Sequence, residues 1–216
     1  MENGNLDIII KGLVKGKPKL KGDGFICSLM QNKKTLKELE VYNKFIKSTE
    51  RLVRTSKEYR KYKDYLINDI GLNYCQVFPN INLETSPNVT LEMHHGPILT
   101  LFDCCAIMAD HMIYNDEDLT SIILYDKVLE EHRLNNIQVV MLCDLSHKLV
   151  HANQVYLNPK QGWGNIDNFL KKYKDGITDK REIIINRNIE IASKYHSNDR
   201  DDILKVDKIL RWDNRE

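Results

Sequence analysis

Four histidines carry the chemistry available to this sequence. His94 and His95 stand side by side in LEMHHGPIL, residues 91–99, and His147 and His151 stand four apart in CDLSHKLVHANQV. An imidazole, with an unperturbed pKa of about 6.5, is both a proton acceptor near neutral pH and a common metal ligand. Residues four apart share one face of a helix, so His147 and His151 point the same way if their stretch is helical. The five cysteines, Cys27, Cys75, Cys104, Cys105 and Cys143, contain no CxxC pair. That argues against a zinc ribbon or knuckle, so any metal must lean on histidine and carboxylate. Their odd number and irregular spacing point to free thiols, with Cys104 and Cys105 as small hydrophobes in an apolar helix. His111, His132 and His196 stand isolated in polar, helix-like settings and are read as structural.

The histidines need elements to position them. Val89, Leu91 and Met93 alternate with Thr90, Glu92 and His94, which predicts a strand ending at the histidine pair. A second short strand is read in NIQVVML, directly before the stretch with His147 and His151. Between the strands, TLFDCCAIMADHMI and DLTSIILYDKVLEEHRL read as helices, with Thr100 and either Asp118 or Thr120 as N-caps. Upstream, Leu36, Leu39, Tyr42, Phe45, Ile46 and Leu52 recur at helical spacing. A second helix, capped by Thr55 or Ser56, runs through KEYRKYKDYLINDI and stops at Gly71. LDIIIKGLVKGKPKLKGDGFICSL predicts a β-ribbon decorated by Lys11, Lys15, Lys17, Lys19 and Lys21. Downstream, a Gly-Trp-Gly turn around Trp163 opens into a helix from about Asp167, and a further helix is capped by Thr178 or Asp179. The segment SNDRDDILKVDKILRWDNRE reads as a last helix or a partner-binding tail.

At 216 residues with 42% hydrophobic content, the chain can fill a real core. No apolar run approaches the roughly 20 residues that span a bilayer, and the first residues lack the pattern of a signal peptide. A cytoplasmic protein without membrane partners is the expectation. The formal net charge of +1 hides an asymmetry. Residues 1–63 carry 16 Lys and Arg against 7 Asp and Glu, whereas residues 64–216 carry 16 against 24. Such a basic block attracts phosphate backbones by releasing counterions, although a solvated helix face has the same composition. Tyr59, Tyr62 and Tyr65, at helical spacing among the basic residues, are read as core or boundary positions, with stacking on bases as the alternative.

The order strand, His-His, helical insertion, strand, helix with His-x-x-x-His resembles the HNH endonuclease superfamily. Its ββα-metal motif places a His-His or Asp-His pair at one strand end and metal-binding histidine on the following helix. The matching stretches are EMHHGP, residues 92–97, and VVMLCDLSHKLVH, residues 139–151, and the resemblance covers roughly residues 85–155. Pro97 follows the pair one residue sooner than in many members, and about fifty residues separate His95 from His147.

The resemblance implies an α+β protein with a small ββα-metal core embedded in several helices and fronted by the β-ribbon. Residues 1–75 would contact nucleic acid, 76–175 would form the HNH-like domain with its insertion at about 100–134, and 176–216 would add helices. His94, His147 and His151 would hold one divalent ion, magnesium, manganese, nickel or zinc, and His95 would take the proton from the attacking water. The middle Asn of the motif is placed at Asn136, with Asn135 and Gln138 as neighbouring alternatives. Glu92 would orient an imidazole through its second nitrogen, Lys148 would contact phosphate or solvent, and Trp163 would pack behind the site. The implied reaction is hydrolysis of phosphodiester bonds, with DNA as partner and a phage or mobile element as source. The alternative is a non-catalytic structural or nucleic-acid-binding protein on a degenerate HNH fold.

Overall fold

The computed structural model describes residues 39–194. The predicted β-ribbon, Cys27, His196 and the segment after residue 194 lie outside the described residues. Among the described residues, seven α-helices and one two-stranded antiparallel sheet make up an α+β fold. In chain order these are α1 (Leu39–Thr55), α2 (Lys57–Asn68), β1 (Leu91–His95), α3 (Leu101–Tyr114), α4 (Ser121–Arg133), β2 (Val139–Cys143), α5 (Asp144–His151), α6 (Ile166–Lys172) and α7 (Asp179–Lys194). No helix among the described residues is long and apolar enough to cross a membrane.

Local sequence accounts for most boundaries. Ser56 rather than Thr55 caps α2, its hydroxyl accepting from the Tyr59 N–H. Thr100 and Asp103 form a capping box at the start of α3, and Thr120 accepts from the Ile123 N–H at the start of α4. Residues 104–109 of α3 are buried on all sides, as expected of a helix that runs through a core rather than along its surface.

β1 pairs with β2 in the register Leu91↔Cys143 through His95↔Val139. Along β1 burial alternates: Leu91, Met93 and His95 face the core, while Glu92 and His94 are half-exposed. β2 is buried throughout, and its far edge is closed by local backbone. Gln76 N–H donates to Met141 O, and Val139 and Trp163 exchange two hydrogen bonds of 2.8 Å. An open edge would present unpaired backbone groups, so this closure is what allows so small a sheet. α5 leaves β2 without a loop and packs on both strands. Ser146 fastens that corner: its buried hydroxyl donates to Cys143 O and touches the thiols of Cys75 and Cys143.

α3 and α4 connect β1 to β2, and the ends of this long connection return to adjacent strands, the condition under which its length is tolerated. One continuous core holds side chains from Phe45 to Ile185, so the parts divided at residues 75 and 175 share it. The helix-rich side is locked by the buried carboxylate of Glu131, which accepts from Tyr173 OH at 2.8 Å, Lys172 Nζ at 2.5 Å and Asn136 Nδ2 at 2.7 Å. Burial alone would raise its pKa; the three donors outweigh that and hold it below its ordinary value of 4.5.

Removing this carboxylate leaves three donors around an empty position. Glu131→Ala is expected to destabilise the protein by about 3 kcal/mol in urea unfolding. Because the folded-state pKa is depressed, the stabilisation is present above pH 4.5 and is lost as pH falls through the folded value. The gap between wild type and variant should therefore close in acid.

Candidate metal centre

Three imidazoles meet where β1, β2 and α5 converge. His94 extends from the half-exposed face of β1, while His147 and His151 extend from one face of α5. The ring centroids of His94 lie 5.2 Å from His147 and 5.1 Å from His151, and those of His147 and His151 are 4.5 Å apart. One ring nitrogen from each residue falls within 4.8 Å of the others, and Nε2 of His147 is 3.0 Å from Nε2 of His151. Ligands at about 2.0–2.1 Å in a tetrahedral zinc site stand about 3.3 Å apart, so small movements of the rings would let one ion bind all three.

The protonation pattern suits ligation. Glu92, two residues before His94 and on the same strand face, accepts from Nδ1–H of His147 at 2.5 Å. This places the proton on Nδ1 and leaves Nε2 of His147 with a bare lone pair for a metal. Partial burial, together with the neighbouring His147, His151 and Arg54, lowers His94 to about 4. Burial also lowers His147, against the opposing pull of Glu92. His94 is the half-buried back of the cluster and His151 its exposed rim, so coordination positions remain open towards solvent.

His95 does not join this cluster, which corrects its expected place as base beside the metal. Successive side chains of a strand face opposite ways, and β1 stays extended through His95. Its ring is 3% exposed and stacks on Tyr59, with centroids 5.9 Å apart. Nε2 of His95 lies 3.0 Å from Nε2 of His132, whose Nδ1–H donates to Val128 O at 2.8 Å. That donation fixes Nε2 of His132 as the acceptor and Nε2–H of His95 as the donor. Burial is the main cause that lowers both, His132 to about 4 and His95 well below its ordinary value. His132, isolated in sequence, is thus half of a buried neutral pair enclosed by Tyr59 and Tyr62.

None of the three amides considered for the middle Asn reaches the cluster, so Asn136 is corrected as well. Asn136 is engaged by Glu131. Asn135, at φ 54°, accepts from Tyr62 OH and Trp163 Nε1, and Gln138 donates to Pro159 O. Lys148 is exposed and paired with Asp144 at 2.6 Å. Trp163 lies along the outer edge of β2.

Comparison with known proteins gives one result. The family described as Bacteriophage G278-like virion protein matches residues 20–216. No curated protein and no solved structure matches the chain. With that match running over nearly all of its length, the chain belongs to the Bacteriophage G278-like virion protein family.

Proposed function

We propose that this phage virion protein binds one divalent transition-metal ion through His94, His147 and His151 and hydrolyses phosphodiester bonds of DNA, as the resemblance to the HNH superfamily implies. The observation that carries the reading is the three-imidazole face, open to solvent at the corner of a ββα unit. Nitrogen ligands favour zinc or nickel over magnesium or manganese. Bound there, the ion would supply Lewis-acid activation of water and charge stabilisation on the phosphate.

The side chains have separate tasks. His94 and His147 form the half-buried back of the site, and His151 closes its exposed rim. Glu92 holds the proton of His147 on Nδ1 and so keeps the ring aimed at the ion. With His95 sealed against His132, no dedicated imidazole base stands beside the site; an ion held there would acidify water, and the proton would pass to bulk solvent. The cytoplasm expected from the sequence is then the place of synthesis and the virion the place of residence.

The buried position of His95 also favours a second reading, in which the ion is structural and ties α5 to β1 in a non-catalytic virion component. The two readings share the metal and differ in chemistry. Calorimetry on metal-stripped protein should show one zinc per chain, with binding lost in His147→Ala. Glu92→Ala should bind about 10- to 100-fold more weakly, because no acceptor then holds the proton of His147 on Nδ1.

Nicking of supercoiled plasmid, with magnesium, manganese, nickel or zinc added singly, separates the readings. The nuclease reading expects metal-dependent nicking that disappears in His147→Ala. His95→Phe, which retains an aromatic ring against Tyr59, should lower thermal stability while leaving nicking by the folded fraction within about tenfold, below the usual 10²–10⁴-fold share of a general base. Zinc binding without nicking under any metal would leave the structural reading in its place.

A further inference from the structure

We infer that Gly96 is a positioning residue of the three-histidine site: the absence of a side chain at this position seats the His94 ring where it meets His147 and His151. The inference rests on the reading of those imidazoles as metal ligands, and it adds the residue that fixes the strand ligand among them.

β1 ends at His95, and the chain turns at Gly96 with φ 155°. A Cβ placed on Gly96 would stand 3.2 Å from Nε2 and 3.3 Å from Cδ2 of His94. The edge of the ring that carries Nε2 therefore occupies the room that a side chain at this position would take. Non-bonded atoms sit best at about 3.5–4.0 Å, so an added methyl requires ring and backbone to separate by about 0.3 Å.

The backbone is the part that holds. Gly96 N–H donates to Gln138 O at 3.4 Å, tying the turn to the residue before β2. Just beyond Pro97, Ile98 and Leu99 are buried, and Ile98 O accepts from Asn188 Nδ2 of α7 at 2.9 Å. Both sides of the turn are thus anchored. His94, by contrast, is half-exposed, and the rings of His147 and His151 stand beside it. A side chain at Gly96 would move the ring rather than the chain. Metal–ligand distances hold within about 0.2 Å, so a shift of about 0.3 Å in one imidazole disturbs a face whose other two members are fixed on a helix.

A positive φ favours glycine by itself, and Gly71 separates that requirement from the seat. Its φ is 82°, and a Cβ there would meet nothing within 4 Å. Replacing Gly71 strains the backbone without touching a ligand.

The test compares zinc affinity, by chelator competition on the full chain, for wild type, Gly96→Ala and Gly71→Ala. Melting in EDTA is followed for wild type, Gly96→Ala, His94→Ala and the double variant. Gly96→Ala is expected to bind zinc about 10- to 100-fold more weakly, and Gly71→Ala about as wild type does. In EDTA, Gly96→Ala should lower the melting temperature by about 2–4 °C, and by about half of that or less where His94 is already Ala. In metal-free wild type, a nuclear Overhauser cross-peak should join the Gly96 Hα protons to Hδ2 of His94, a readout that needs no variant to fold. Equal zinc losses in the two glycine variants, equal melting losses with and without His94, or a missing cross-peak would each overturn the proposal. If wild type binds no zinc, the metal reading falls together with this role. If wild type binds zinc and Gly96→Ala binds it equally well, this role falls alone.

Discussion

The alternation of β1 is the constraint on which this structure depends. A strand sends consecutive side chains to opposite faces, so an adjacent histidine pair within it serves two environments. His94 goes to the half-exposed face and meets α5; His95 goes to the core and meets α4. The same period places Glu92 beside His94, within reach of His147, and places Met93 with His95 inside. One five-residue strand therefore ties together the outer three-histidine cluster, the inner histidine pair and the carboxylate that orients the first.

The helical insertion makes the inner arrangement possible. α4 brings His132 against His95 and Glu131 against Asn136, Lys172 and Tyr173. A buried imidazole pair is tolerable only when both rings are neutral and hydrogen-bonded, because an uncompensated charge in the core is far more costly than a neutral donor–acceptor pair. The Val128 carbonyl meets that condition by fixing the His132 tautomer. Glu131, one residue earlier, points to a different set of partners and stays ionised among three donors. Adjacent residues on α4 thus hold opposite protonation logic: one depends on losing charge, the other on keeping it.

What the sequence made legible was local. Period-two alternation gave β1, the i, i+4 spacing placed His147 and His151 together, and Thr100 with Asp103 marked the start of α3. The two helices between the strands and the nearness of Glu92 to the imidazoles were also readable, because strand and helix periods determine which side chains share a face. The partner of His95 was not readable. His132 lies 37 residues away on a helix whose burial is decided by packing rather than by its own polar-looking pattern. Asn136 failed for a related reason: its position before β2 is local, but its engagement by Glu131 is tertiary. A histidine pair puts ligand and base at one site only if the strand ends between them, and here it continues through both.

The two histidine clusters share a wall, which joins the fold to the proposed chemistry. His94 and His95 are bonded neighbours, and the positive charge of Arg54 bears on rings in both clusters. Burial is the first cause that disfavours the imidazolium form on either side of β1, and a nearby cation adds to it. In the core this preserves the donor–acceptor pair that anchors α4; at the surface it preserves the lone pairs that a metal requires. A metal ion on the outer cluster would add a stronger charge of the same sign. Burial of the inner rings is independent of any such charge, so the His95–His132 pair stays neutral with or without an ion on the outer face.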